Sequence, residues 1–164
     1  MADFNQYFTT KESSVTDEDY MRQALWMADR AKKQGNPSIG ALLRMSSKQL
    51  VEHDTTLSEH GKMHTATLNL IHKAADLVPR SMANALLYCT VEPTALDVLT
   101  ASSCGVSDII FGCYNLKDGF ISSPTSAIKL ENCDIAWKGG VLAKECYEIL
   151  SEDVKSWCSI DDRN

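Results

Sequence analysis

Chemistry in this 164-residue chain has to come from a short inventory: four histidines, six cysteines and a surplus of acids, 22 against 16 basic residues. The cysteines stand at 89, 104, 113, 133, 146 and 158, and no two have the C-x-x-C spacing of a thiolate metal site. Their even number allows three disulfides. Without a secretory leader pattern, the stronger expectation is reduced thiols used as small apolar groups. A reactive thiol needs a partner that depresses its pKa, and His64 is the one plausible partner. His60 and His72 read as surface groups and His53 as a strand-end residue. His64 opens the apolar run Thr65-Ala66-Thr67-Leu68-Asn69-Leu70-Ile71 and is the histidine with chemical promise. Glu92 and Pro93 close a second apolar run, where the carboxylate is expected to cap a helix or brace a turn.

Composition bounds the answer. At 44% hydrophobic and 23% charged residues, the chain is an ordinary globular one, long enough to bury a core without staples. No apolar run is long enough to cross a bilayer, and the first residues lack a basic segment followed by an apolar one. No membrane association and a cytoplasmic location are therefore expected. The net charge of −6, with Lys32-Lys33 the longest basic run, opposes a polyanion, so nucleic acid is not expected as a main partner.

The elements that must position these residues follow from period and punctuation. Residues 1–15 read as a flexible arm, 16–158 as one domain and 159–164 as a tail. Thr16-Asp17-Glu18-Asp19 starts a helix that runs to Gln34 and stops at Gly35-Asn36-Pro37. Residues 38–44 and 49–53 read as an antiparallel strand pair. A second helix, carried by Met63, Thr67, Leu68, Ile71 and Ala74, ends near Pro79. Residues 85–91 form an apolar run typical of a central strand covered on both faces. A helix over 94–103 and a strand over 106–111 follow. A short strand at 135–137 precedes a last helix over 141–151, whose extension to Trp157 stays open. This order implies an α/β fold, a three-layer α/β/α sandwich on a mixed five-stranded sheet. Trp26, Trp137 and Trp157 are expected to pack the layers.

Two segments carry a specific resemblance, His64-Thr65-Ala66 and Glu92-Pro93-Thr94-Ala95-Leu96-Asp97, with Pro93 placed 29 positions after His64. Together they resemble the H-x-E and P-C-x-x-C signatures of the zinc-dependent cytidine, guanine and tRNA-adenosine deaminase superfamily. Pro37-Ser38-Ile39-Gly40-Ala41, His53-Asp54, Asp108-Ile109-Ile110-Phe111-Gly112 and Gly139-Gly140-Val141 to Cys146 are similar to further family segments. The resemblance spans roughly residues 17 to 152. It implies a cytidine deaminase-like fold, with Ala41, Asp54, His64, Glu92 and Pro93 around a ligand pocket and Cys89 and Cys104 near it.

At the chemical positions this chain departs from the pattern. Ala66 stands where the family has its proton-shuttling glutamate, and Thr94 and Asp97 stand where it has two cysteine ligands. Zinc activates water by lowering its pKa from about 16 to about 7. A neutral hydroxyl and one carboxylate are poor replacements for two soft thiolates. Loss of the glutamate removes a further contribution of about 10²–10⁴-fold. No zinc and no confident catalytic residue are therefore expected.

The family architecture implies that His64, Thr94 and Asp97 face one point. There a His64–Asp97 contact, with Thr94 nearby, would replace the metal as the link between two helix starts. An Asp–His–Thr nucleophile triad and a plain polar staple are the competing readings. Asp54, standing where a relative has asparagine, favours a ligand with amino or amidine donors, or is a solvated loop acid.

The expected function is a non-catalytic deaminase-like binding or partner subunit. Its ligand would be a small nucleobase-like or other molecule, and it would pair as a homodimer or with a related deaminase. The alternatives are metal-free chemistry by His64 and Asp97, and an aminohydrolase using a metal other than zinc.

Overall fold

The computed structural model describes residues 14–45, 49–53, 65–77, 82–123 and 133–161. Helix α1 (Asp17–Lys33) begins at a capping box. The Thr16 hydroxyl accepts from the Asp19 N–H, and the Asp19 carboxylate accepts from the Thr16 N–H. Strands β1 (Gly40–Arg44) and β2 (Gln49–His53) pair antiparallel, and α2 (Ala66–Leu77) follows. Then come β3 (Ala85–Val91), α3 (Ala95–Ser103), β4 (Val106–Asn115), β5 (Ala136–Lys138), α4 (Ala143–Ile149), α5 (Glu152–Lys155) and β6 (Cys158–Ser159).

The sheet runs β2-β1-β3-β4-β5, mixed as the sequence implies. β1 is antiparallel to β3, while β3, β4 and β5 are parallel. The two-residue β6 pairs antiparallel with the end of β4. Alternation along the central strands sends side chains to two cores. Leu43, Leu87, Ile109 and Phe111 meet Leu70 and Ile71 of α2 and Val98 of α3. On the other face, Leu42, Tyr88 and Ile110 meet Met21 and Ala24 of α1, Cys146 of α4 and Val154 of α5. The result is the three-layer sandwich. Gly40 allows its inner approach: a Cβ there would sit 2.0 Å from the Ala24 carbonyl oxygen.

Besides one- or two-residue shifts at the starts of β1 and β5, three boundaries differ from the sequence reading. β4 continues past Gly112 to Asn115, because Val91 still pairs with Cys113 and a side chain at Gly112 would strike the Cys146 sulfur. The last helical stretch is two helices, not one reaching Trp157: Leu150 turns to extended backbone and Ser151 restarts the chain as the N-cap of α5. Finally, Ser159, the first residue of the expected tail, is strand, paired with Cys158 in β6. The expected arm over residues 1–15 lies mostly outside the described residues, as do residues 162–164. Among the described residues, no helix is long and apolar enough to cross a membrane.

Candidate active site

The site forms where α2 and α3 begin, at the C-terminal end of β3. Both helices start on a threonine. Thr65 caps α2, its hydroxyl accepting from the Leu68 N–H at 3.1 Å. Thr94 caps α3, its hydroxyl accepting from the Asp97 N–H at 3.3 Å. A hydroxyl that accepts at a cap still has a proton to donate, and here both protons go to one carboxylate. Thr65 Oγ1 donates to Asp97 Oδ1 in a short contact. Thr94 Oγ1 donates to Asp97 Oδ2 at 2.9 Å, and the Thr94 N–H donates to the same oxygen at 2.8 Å. Asp97 is therefore both the N3 residue of the α3 capping box and a clasp between two helix N-termini.

This position sets two forces against each other. Both helix dipoles and three donated bonds favour the ionised carboxylate. Burial opposes it, for Asp97 is only 2% exposed. Burial is the larger effect, and the Asp97 carboxyl is raised above the usual carboxylate range despite the bonds from Thr65 and Thr94.

Glu92, one residue past β3, is 1% exposed and serves as a turn brace. Its Oε1 accepts from the N–H groups of Ile121 at 2.7 Å and Ser122 at 2.9 Å, and its Oε2 accepts from Asn115 at 2.9 Å. Gly119 packs so closely on this carboxylate that a Cβ would lie 2.5 Å from Oε2. The braced segment is tied to the start of α3 by the Phe120 N–H on the Pro93 carbonyl and by a Thr94–Gly119 bridge. Of the two roles expected of Glu92, the turn brace is the one observed; Asp97 caps the helix.

A cavity of about 280 Å³ opens beside the clasp. Ala66, Thr67 and Cys89 lie along it, with Thr67 Oγ1 and Cys89 Sγ 3.3 Å apart. Burial pushes the Cys89 thiol up to about 12, so it stays a thiol and is no nucleophile. Glu92, Pro93, Thr94 and Asp97 also line the cavity.

Other expected site residues fall elsewhere. Ala41 does not line the cavity: it is fully buried in the β1 core opposite Cys89, while its neighbours Ile39 and Gly40 reach the cavity wall. Cys104 is not near the pocket, because it caps the far end of α3. His64 and Asp54 lie outside the described residues, so the expected His64–Asp97 contact does too. Within the described residues, the partner that reaches Asp97 from α2 is Thr65.

Thr65, Asn115, Asp118 and Trp157 are site residues that sequence reasoning passes over. Thr65 had a signal, as a threonine directly before a helical apolar run. Asn115 and Trp157 had none, since only the β4–β6 pairing brings the two segments together.

The donor chemistry at the clasp does not fit a resident zinc. Catalytic zinc takes thiolate, imidazole or carboxylate ligands and keeps one position open. The Thr94 hydroxyl is neutral and spent as a cap. The Asp97 carboxylate is hard and holds three bonds that a metal would displace. Ala66, on the cavity wall, offers only a methyl group.

Comparison with known proteins supplies the family. Residues 14–113 match the family described as cytidine and deoxycytidylate deaminase zinc-binding region, a match covering more than half of the chain. A tRNA-specific adenosine deaminase of Haemophilus influenzae is 28% identical over 146 residues, spanning 86% of this chain and 84% of that protein. In fold, the chain is similar to a structure from a study of A-to-I editing by tRNA:A34 deaminases at the wobble position of transfer RNA. That likeness has a TM-score of 0.71 at 22% identity and covers 80% of this chain and 98% of that one. A guanine deaminase from Nitrosomonas europaea is similar with a TM-score of 0.69 at 12% identity, over 92% and 91% of the two chains. With residues 14–113 matched, more than half of its length, the chain belongs to the cytidine and deoxycytidylate deaminase family.

Proposed function

We propose that this deaminase-family chain does not carry out zinc-dependent deamination and acts as a ligand-binding or partner subunit. The observation that carries the reading is the Thr65–Asp97–Thr94 clasp. A deaminase of the zinc type needs an ionised water, and so a metal with an open position, beside a group that moves protons. In this chain the two helix starts are joined by a carboxylate that accepts from both caps. Turning Asp97 or Thr94 toward a metal would uncap α3 and strand the Thr65 hydroxyl. The methyl of Ala66 moves no proton, and the Cys89 thiol is held protonated. The cavity is kept while these groups are changed, which supports binding without hydrolysis.

Leu96 and Leu99 of α3 are 43% and 42% exposed on one helix face, next to the site. They support pairing, either with a second copy or with a related deaminase chain, in the cytoplasm. The relatives named for tRNA-adenosine and guanine deamination suggest a small nucleobase-like ligand. The net charge of −6 weighs against a nucleic acid.

Ammonia release from cytidine, guanine and adenosine, with zinc supplied, tests the reading, read beside native mass spectrometry of the same sample. The expected result is no release above buffer, no bound zinc and a paired mass. Zinc-dependent turnover of any of the three would overturn it. A raised carboxyl in a cavity is also a mark of acid–base chemistry. Metal-independent turnover that is lost in His64→Ala would therefore establish the metal-free enzyme instead.

A further inference from the structure

The cavity is lined by several polar side chains, and most of them are already engaged. Asp97 accepts three hydrogen bonds from Thr65 and Thr94, and its carboxylate sits where two helix starts would otherwise hold an anion. Glu92 accepts three N–H groups, and Gly119 packs against its Oε2. Asp118 has an interaction of its own. The Thr65 and Thr94 hydroxyls each accept at a cap and donate to Asp97, and Thr67 pairs with Cys89. None of the described lining residues is lysine, arginine or histidine. Ile39, Ala66, Val91, Pro93 and Val154 add apolar wall, and the half-buried indole of Trp157 adds a flat one.

Asn115 stands apart from the engaged groups. It is 4% exposed. Its Oδ1 accepts from the backbone N–H groups of Lys117 at 3.2 Å and Asp118 at 2.9 Å, which fixes the orientation of the amide. The amide Nδ2 donates to no described residue. It is not sealed either: among the described residues, the fully buried side-chain N and O atoms without a partner are Ser38 Oγ and Ser122 Oγ. Nδ2 therefore opens to free space, and the space Asn115 lines is this cavity. The wall thus presents an oriented donor that still lacks an acceptor.

We propose that the cavity binds a small uncharged planar ring bearing a carbonyl group, whose oxygen accepts from Asn115 Nδ2 while the ring lies against Trp157. Such a ligand deepens the ligand-binding reading above and rests on its metal-free site, because a resident dication would offer an anion a countercharge. An organic cation would give up its water for carboxylates that already hold their donors. An anion could accept from Nδ2, but it would lie beside those carboxylates with no countercharge among the described lining residues. A plain hydrocarbon ring would fit the apolar wall yet cut Nδ2 off from water without supplying an acceptor. A volume of about 280 Å³ suits one substituted ring.

Ligand-observed NMR titration of the full chain with four probes of similar size tests this: acetophenone, ethylbenzene, benzamidine and benzoate. The first is a neutral ring with a carbonyl acceptor, the second lacks the acceptor, the third is a cation and the fourth is an anion. Acetophenone is expected to bind first, with ethylbenzene about tenfold weaker and the two ions unbound. Asn115→Asp keeps the Oδ1 acceptor of the turn and exchanges the open donor for a second acceptor. There the advantage of acetophenone over ethylbenzene should vanish. In Trp157→Ala both neutral probes should weaken by a similar factor, with their ratio kept. The ranking on the parent chain decides the matter even where a variant does not fold.

Equal binding of acetophenone and ethylbenzene by the parent, tighter binding of either ion, or no saturable binding of any probe would overturn the assignment. The zinc content of the same sample separates the two ideas. Bound zinc defeats the metal-free reading and the ligand class with it, whereas zinc-free protein that does not prefer acetophenone defeats the ligand class alone.

Discussion

Helices α1 and α3 start on the same four-residue device, Thr-x-x-Asp, and use it in different surroundings. At α1, Thr16 and Asp19 cap in the open, and Arg22 stands 3.2 Å from the Asp19 carboxylate, which is 38% exposed. The bonds from Thr16 hold the Asp19 carboxyl below its ordinary value. At α3, Thr94 and Asp97 make the same reciprocal bonds at the cavity wall, and burial raises the Asp97 carboxyl instead. The motif builds the cap in both places, and the surroundings decide the charge. At α3 the cap has one added duty, the Thr65 bond that joins α2 to α3.

Removing the two acids should separate the devices most widely. Asp97→Ala leaves three donors at a buried site without an acceptor and should cost about 3 kcal/mol. Asp19→Ala, exposed and solvated, should cost about 0.5 kcal/mol. Urea denaturation at neutral pH reads both, and equal losses would mean that the clasp adds nothing to a plain cap. A smaller contrast is expected at the hydroxyls. Thr65→Val removes a cap and the inter-helix bond together and should cost about 2 kcal/mol, against about 1 kcal/mol for Thr16→Val.

The smallest effect is one of sign. The Asp19 carboxyl is lowered by folding, so its contribution is complete above the ordinary value of 3.8 and is lost as pH falls through the lowered one. The Asp97 carboxyl is raised, so a penalty on the fold builds as pH climbs from 3.8 toward the raised value, is complete above it, and disappears as pH falls back to 3.8. Subtracting Asp19→Asn and Asp97→Asn from the parent, in urea melts between pH 3 and 7, should give slopes of opposite sign. Parallel slopes would place Asp97 in a wetter site than its burial indicates.

Much of this was legible in the residues, and the gaps have physical causes. Strands 49–53 and 85–91 were bounded by turn residues and matched in full. The family signatures pointed to the paired helix starts. The Thr94-x-x-Asp97 box was readable in the same way as Thr16-x-x-Asp19, but the resemblance carried by the same residues draws attention to metal chemistry first. The Thr65–Asp97 bond could not be read, since it joins residues 32 apart through the packing of two helices. Nor could the meeting of Asn115 and Trp157, which depends on a two-residue strand too short to leave a periodic signal.

The central claim, that a carboxylate clasp stands where the family holds its metal, is tested most directly by zinc equilibrium dialysis on the parent chain and on Thr94→Cys/Asp97→Cys. The account predicts no stoichiometric zinc on the parent and about one zinc per chain on the double variant, where two thiolates rejoin His64. One tightly held zinc on the parent, or an Asp97→Ala variant that loses such a zinc, would contradict it.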